Sequence, residues 1–332
     1  MKILVYIPCH SDFKLALIQA RKIRRGFEDF LMQSNHTSLN LKIILSINAY
    51  IPTPIEIKSA ASVFDRVVNN GLGYLGDLNI SNGYLIALDE KPDFLWILSV
   101  NDELVDGAIS NILIEFLRNP SIDLLVTSLY LNKIVIEKQI LDPTKVGTSY
   151  GLLSGVVYRL ERILPYLHNG PFMAWTGWSQ LAVIQSAMDS LNGISVKYIP
   201  FNFVYKQKER QLHEMRSAYA HSIYGMLILG STFKPSKKAV KKFIVSYVLK
   251  NFYRWNLYNR KWNYSGQLVE SKNYLGWNQI IAEALIRKNS ITTYYLYQMF
   301  RIIPFKSLHN VKFFVTIKRK FDKITNQELH YK

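Results

Sequence analysis

The first 130 residues fall into a strict alternation, and this limits what the chain can fold into more than any other feature. Short apolar runs read as buried strands at 2–8 (KILVYIP), 41–48 (LKIILSIN), 63–70 (VFDRVVNN), 93–100 (DFLWILSV) and 123–130 (DLLVTSLY). Between them, 13–31 carries helical apolar spacing at Leu17, Ala20, Ile23 and Phe27, with Ser11 or Asp12 as its cap. Helices are also predicted over 78–90 and 107–119. The resulting order is β-α-β-β-α-β-α-β. Apolar strands separated by amphipathic helices imply an α/β fold with a mostly parallel sheet and helices on both faces. Beyond 131 the alternation fades. A strand within 148–163, a helix starting near Trp178 and a strand-like run at 196–206 follow, and long helical patterns take over from about 212.

In such a sheet, ligands sit outside the carboxyl ends of the strands. The ends here are Pro8-Cys9-His10, Ser46-Ile47-Asn48, Asn69-Asn70-Gly71 and Asn101-Asp102-Glu103. All are polar, and neighbouring strands would bring them to one crevice. Gly71, Gly73 and Gly76 spell G-x-G-x-x-G, but after the third strand rather than the first, which argues against a dinucleotide fingerprint. The loop is either a tight turn needing positive φ or a backbone close to a ligand, with Asp77 or Asn79 presented from the helix start. The acidic turn has two readings. Asp102 and Glu103 suit a hard cation, Mg²⁺ or Mn²⁺, that takes one or two carboxylates plus substrate phosphates. Alternatively, Asp102, Glu103 or Asp106 caps the helix that follows.

Charge divides the chain. Residues 233–332 carry 20 Lys/Arg against 4 Asp/Glu, whereas residues 1–232 carry 21 against 20, within a total net charge of +17. The basic stretches 234–264 and 294–321 interleave Lys and Arg with Phe, Tyr and Trp. Such a region suits an anionic membrane surface. Nucleic acid is the weaker reading, since no RRM, KH or zinc motif is present. The single cysteine, Cys9, excludes an intramolecular disulfide framework and fits a reducing compartment. No signal peptide is visible. The most apolar stretch, 218–233, is too short to span a bilayer.

The first strand ending in Pro-Cys-His, the second ending in Ser-Ile-Asn, the Asn/Gly loop and the acidic turn occur in an order that resembles the nucleotide-diphospho-sugar glycosyltransferases of the GT-A fold. The similarity is to family 2 in particular, and to its bacterial enzymes of O-antigen, capsule and lipopolysaccharide synthesis. It spans about 1–205, so the chain divides into a GT-A domain at 1–210 and a basic, mainly helical region at 211–332. The resemblance implies a hexosyl-type transferase that is peripheral on the cytoplasmic face of the inner membrane. Its partners would be a nucleotide-diphosphate sugar and a lipid-linked oligosaccharide acceptor. The nucleotide and sugar contacts would be Ile7, Pro8, Cys9, His10, Asp12, Ser46, Asn48, Asn69, Gly71, Gly73, Gly76, Asp77, Asn79 and Asn101. Asp102 and Glu103 stand where the D-x-D metal motif belongs, as Asn-Asp-Glu rather than the usual aspartates.

The segment 171–183 stands where inverting members carry Glu-Asp, whose Asp is the general base, but it contains no acid. Trp175, Trp178 and Gln180 would shape the acceptor site. His168, or a carboxylate from elsewhere, would be the base; a retaining reaction needs no such base. A sugar-phosphate nucleotidyltransferase of related fold lacks its usual basic, glycine-rich N-terminal loop here. A non-catalytic subunit is the remaining alternative.

Overall fold

Seven of the eight residues of strand β1 (Lys2–Cys9) are buried, so this strand lies at the centre of the fold. The computed structural model describes residues 1–10, 12–34, 38–48, 51–70, 76–127, 135–139, 153–174, 178–199 and 203–206. β1 pairs in parallel with β2 (Asn40–Ile47) on one side and with β4 (Phe94–Ile97) on the other. β2 pairs in parallel with β3 (Arg66–Asn69). Beyond β4 the sheet becomes mixed. β8 (Val156–Arg159), which leads into the short helix α5 (Leu160–Ile163), runs antiparallel to both β4 and β6 (Leu124–Thr127). β9 (Ile194–Ile199) is parallel to β6, and β7 (Val135–Gln139) is antiparallel to β9. Among the described residues the order is β3-β2-β1-β4-β8-β6-β9-β7, and β5 (Asp102–Leu104) with β10 (Val204–Lys206) forms a separate two-stranded ribbon.

Alternation along β1 sends Ile3, Val5, Ile7 and Cys9 to one face of the sheet. There they meet α1 (Phe13–Gln33) and α4 (Ala108–Arg118), the first through Ala16, Ala20, Ile23, Phe27 and Phe30. Each Ile or Phe buried this way contributes roughly 1.5–3 kcal/mol. The two helices pass so closely at Gly26 that a Cβ there would lie 2.7 Å from Ile109 Cγ2. On the opposite face Tyr6 packs against α3 (Gly76–Glu90), where Gly83 makes room for its ring. Helices therefore cover both faces, as the apolar pattern requires.

Three elements differ from the expected order. Between β2 and β3 lies α2 (Pro54–Ala61). Parallel neighbours need a crossover, and α2 supplies it. Its apolar pattern is silent because only Ala60 is buried. Its signal was the capping box of Thr53 and Glu56 with Pro54 in the first turn. The expected strand at 196–206 is two strands in different sheets, β9 and β10. The strand predicted at 93–100 ends at Ile97, and the chain re-forms as β5 at Asp102. Everything from residue 207 onward, the basic region included, lies outside the described residues. Among those described, no helix is long and apolar enough to cross a membrane.

Candidate functional site at the β1/β4 switch point

Strand order runs from β1 outward to β2 and β3 on one side, and to β4 on the other. That reversal opens a crevice at the carboxyl edge of an α/β sheet. Because β1 to β4 are all parallel, Cys9, Ile47, Asn69 and Ile97 end at the same edge. The polar ends of β1, β2 and β3 are therefore neighbours, and the acidic turn follows the end of β4 by four residues.

The β1 and β2 ends are tied together. Asn48 donates its backbone N–H to the Cys9 carbonyl at 2.8 Å, and its Nδ2 to His10 Nδ1 at 3.1 Å. An imidazole that accepts at Nδ1 is neutral and carries its proton on Nε2. Burial favours the same form, lowering the pKa of half-buried His10 below its ordinary 6.5. Pro8 and Cys9 are buried, and Cys9 belongs to the core under α1, so neither presents a side chain to the crevice. Asp12 caps α1 by accepting from Leu15 N at 3.1 Å. Of the residues expected at the β1 end, His10 is the one with an accessible functional group aligned by a partner.

Ser46 and Asn79 have a different role from the nucleotide contact expected of them. Both are fully buried. Asn79 Oδ1 accepts from Ser46 Oγ at 2.5 Å and from Asn70 Nδ2 at 3.0 Å, and Asn79 Nδ2 donates to the Ser46 carbonyl at 3.3 Å. The Tyr6 hydroxyl donates to the Asn79 carbonyl at 2.7 Å. Asn70 Nδ2 also reaches Ser46 Oγ at 2.7 Å, and Asn70 Oδ1 accepts from Asn82 Nδ2 at 3.1 Å. These groups satisfy one another inside the protein, as buried polar groups must. The network pins the ends of β2 and β3 to the first turns of α3 and thereby positions both edges of the Asn/Gly loop. Asn70 belongs to the third polar strand end, whereas Asn82 belongs to no motif. Asn69 is exposed; Gly76 opens α3 with Asp77 next to it, and Gly71 and Gly73 lie outside the described residues.

The acidic turn is not a helix cap. The residue preceding α4 is Gly107, at φ 75°, and no side chain caps that helix. Asp102 and Glu103 instead lie on β5, where successive side chains face opposite ways. Asp102 faces inward at 8% exposure, and Glu103 faces solvent. Ser154 Oγ donates to Asp102 Oδ2 at 2.6 Å and accepts from Ser99 N–H at 2.9 Å. Gln19 of α1, itself buried, holds the turn from below by donating to the carbonyls of Ser99, Val100 and Asp102. Asn101 is exposed, with its N–H donated to Ser99 Oγ at 3.3 Å. The two carboxylates of the expected metal pair are thus split across the strand. Two carboxylates on opposite sides of a strand do not chelate one ion together. The Asn-Asp-Glu turn does not fit a two-carboxylate Mg²⁺ or Mn²⁺ site. Gln19 belongs to no motif, so its part in the turn was not legible from spacing.

The expected acceptor residues are dispersed. α7 (Ser179–Ser190) begins immediately after Trp178, as predicted, but Gln180 is buried in its first turn. Ser179, beside it, is fully buried, with its hydroxyl unpartnered. Gln180 is therefore a packing residue of α7 rather than an open acceptor contact. Trp178 is half-buried, and Trp175 lies outside the described residues. His168 is exposed, ahead of the short helix α6 (Asn169–Phe172), and donates Nδ1–H to the Pro165 carbonyl at 2.7 Å. α6 and α7 lie on the α3 side of the sheet, whereas Asp102 is anchored beneath by α1 on the other side.

No protein-family model and no curated protein matches the sequence. Solved structures do. S. aureus TarS 1–349 in complex with UDP-GlcNAc superposes with a TM-score of 0.55 at 11% identity, over 86% of this chain and 81% of that one. The same protein in complex with UDP gives 0.51 at 12% identity over the same shares. The fold is the GT-A-like fold of TarS. A mannosyltransferase, PcManGT from Pyrobaculum calidifontis in complex with GDP-Man and Mn²⁺, scores 0.44 at 11% identity, over 86% of each chain, and adds nothing to that assignment. At these identities the likeness is one of fold.

Proposed function

We propose that this chain is a nucleotide-sugar glycosyltransferase. The observation that carries the reading is the row of polar strand ends at the β1/β4 switch point, in a chain with the fold of a protein whose structure holds UDP-GlcNAc. In this reading the β1 and β2 ends receive the nucleoside. His10 offers Nε2–H as a donor, oriented by Asn48. The Asn/Gly loop, held by Asn70 and Asn79, runs along the diphosphate and donor sugar. Asp102 lies across the crevice on the β4 side and, as a carboxylate, accepts hydrogen bonds from donor hydroxyls. The acidic turn offers one inward carboxylate, Asp102, rather than a chelating pair.

The finer reading is a hexosyl transfer to a lipid-linked glycan in bacterial surface polysaccharide synthesis, at the cytoplasmic face of the inner membrane. What supports it is the basic, aromatic composition of residues 233–332. Calorimetric titration of the full chain with UDP-, GDP- and dTDP-linked sugars and the free nucleotides, with and without Mn²⁺, tests the donor half. Binding of at least one is expected, and binding of none overturns the reading. Cosedimentation with anionic vesicles, weakened by salt and absent with neutral vesicles, tests the membrane half. Retention on an oligonucleotide but not on vesicles overturns it.

A further inference from the structure

Three bonds meet at Ser154. Its hydroxyl donates to Asp102 Oδ2 at 2.6 Å and accepts from Ser99 N–H at 2.9 Å, and its carbonyl accepts from Trp96 Nε1 at 2.8 Å. It is fully buried, in a 3₁₀ turn at Leu153–Gly155 that leads directly into β8. β8 is paired along β4. The hydroxyl therefore joins two consecutive features of the crevice, the turn leaving β4 and the turn entering β8, through one charge-assisted bond.

We propose that Ser154 is the positioning residue of the donor site. It fixes the direction of the Asp102 carboxylate and so makes the acidic turn a one-carboxylate site separated from Glu103. The inference rests on the nucleotide-sugar reading and deepens it. Strand alternation already sets Asp102 and Glu103 on opposite sides of β5. Strand geometry alone leaves the Asp102 side chain its rotamers; the bond from Ser154 selects one of them. Gln19 supports the same turn through the carbonyls of Ser99, Val100 and Asp102, so the turn keeps a second anchor when Ser154 is altered. Removing the Ser154 hydroxyl should loosen the Asp102 carboxylate and take the acceptor from the Ser99 N–H, while Gln19 still holds the turn's carbonyls.

The test is a set of full-length variants titrated with the tightest-binding member of the nucleotide-sugar panel. Ser154→Ala is expected to weaken binding about tenfold or more, the worth of a hydrogen bond to a charged group. Asp102→Asn is expected to weaken it as much, and the double variant no further than the worse single one, because both remove one coupled interaction. Ser154→Cys keeps the volume with a weak donor and is expected to stay impaired; wild-type affinity in Ser154→Cys would make the role one of packing and overturn the proposal. Additive losses in the double variant would also overturn it, as would a larger loss from Glu103→Gln than from Asp102→Asn. Urea midpoints for each variant separate lost binding from lost folding. If Ser154→Ala does not fold, the Cys and Asn variants decide the matter. A wild-type chain that binds no nucleotide sugar overturns the functional reading and this inference with it. Normal binding by wild type and Ser154→Ala alike overturns the inference alone.

Discussion

Replacing Asn79 with alanine tests whether the polar network behind the Asn/Gly loop is a structural unit. The substitution removes the acceptor for Ser46 Oγ at 2.5 Å, the acceptor for Asn70 Nδ2 at 3.0 Å and the donor to the Ser46 carbonyl at 3.3 Å. At about 1 kcal/mol each, these bonds are worth about 3 kcal/mol. Ala is a better helix former than Asn, which returns about 0.6 kcal/mol within α3. Against that, the fully buried Ser46 hydroxyl loses its acceptor, at a cost of about 1–3 kcal/mol. The balance is a loss of about 3–5 kcal/mol, read from urea unfolding followed by circular dichroism. Tyr6→Phe removes the donor that the Asn79 carbonyl accepts at 2.7 Å and Asn79 Oδ1 at 3.2 Å, one O–H shared between two acceptors, and should cost about 1 kcal/mol. Asn70→Ala combined with Asn79→Ala should cost less than the two singles summed, since they share a bond. A loss below 1 kcal/mol for Asn79→Ala, or strict additivity with Asn70→Ala, would refute the idea that the network acts as one.

Three further outcomes follow from the packing and charge pattern. Gly170→Ala places a Cβ 2.5 Å from Tyr84 Cδ2 and 2.9 Å from Cε2; that ring is fully buried, so a loss of about 1–3 kcal/mol is expected in the same assay. Lys197 and Glu115 form a buried ion pair between β9 and α4. Lys197→Met alone should cost about 3–5 kcal/mol, whereas Lys197→Met with Glu115→Leu should recover most of that loss. Glu90 bonds to Lys2 Nζ at 2.6 Å and Lys42 Nζ at 2.5 Å, and the hydrogen bonds from these two ammonium groups lower its pKa from 4.5 to about 2. A carboxylate with a depressed folded-state pKa stabilises above its unfolded value and loses that contribution as the pH falls through the folded one. The stability gap between wild type and Glu90→Gln should therefore be constant above pH 4.5 and close as the pH approaches about 2, as measured by urea midpoints across that range.

The amount legible in sequence differed from one feature to the next for physical reasons. Strands buried on both faces must be apolar throughout, so β1, β2 and β4 were evident as runs, and α1 was evident from its spacing. α2 was not, because a helix that buries only Ala60 leaves no apolar stripe. The polar ends of the strands were plain from composition. That they are neighbours is a property of strand order, which hydrogen bonding between distant segments decides.

The acidic turn marks the division most clearly. The sequence by itself determined that Asn101, Asp102 and Glu103 follow a buried strand at the ligand edge of an α/β sheet. It also determined that a basic, aromatic region follows, because charge and hydropathy are local properties of residues. Only the tertiary structure decided that Asp102 turns inward to Ser154, 52 residues away, while Glu103 turns out. It alone decided that Asn79 and Ser46 face each other rather than the crevice. The physical reason is the same in both cases. A residue's type fixes which bonds it can make, but its partner and its direction depend on segments that meet only when the chain is folded.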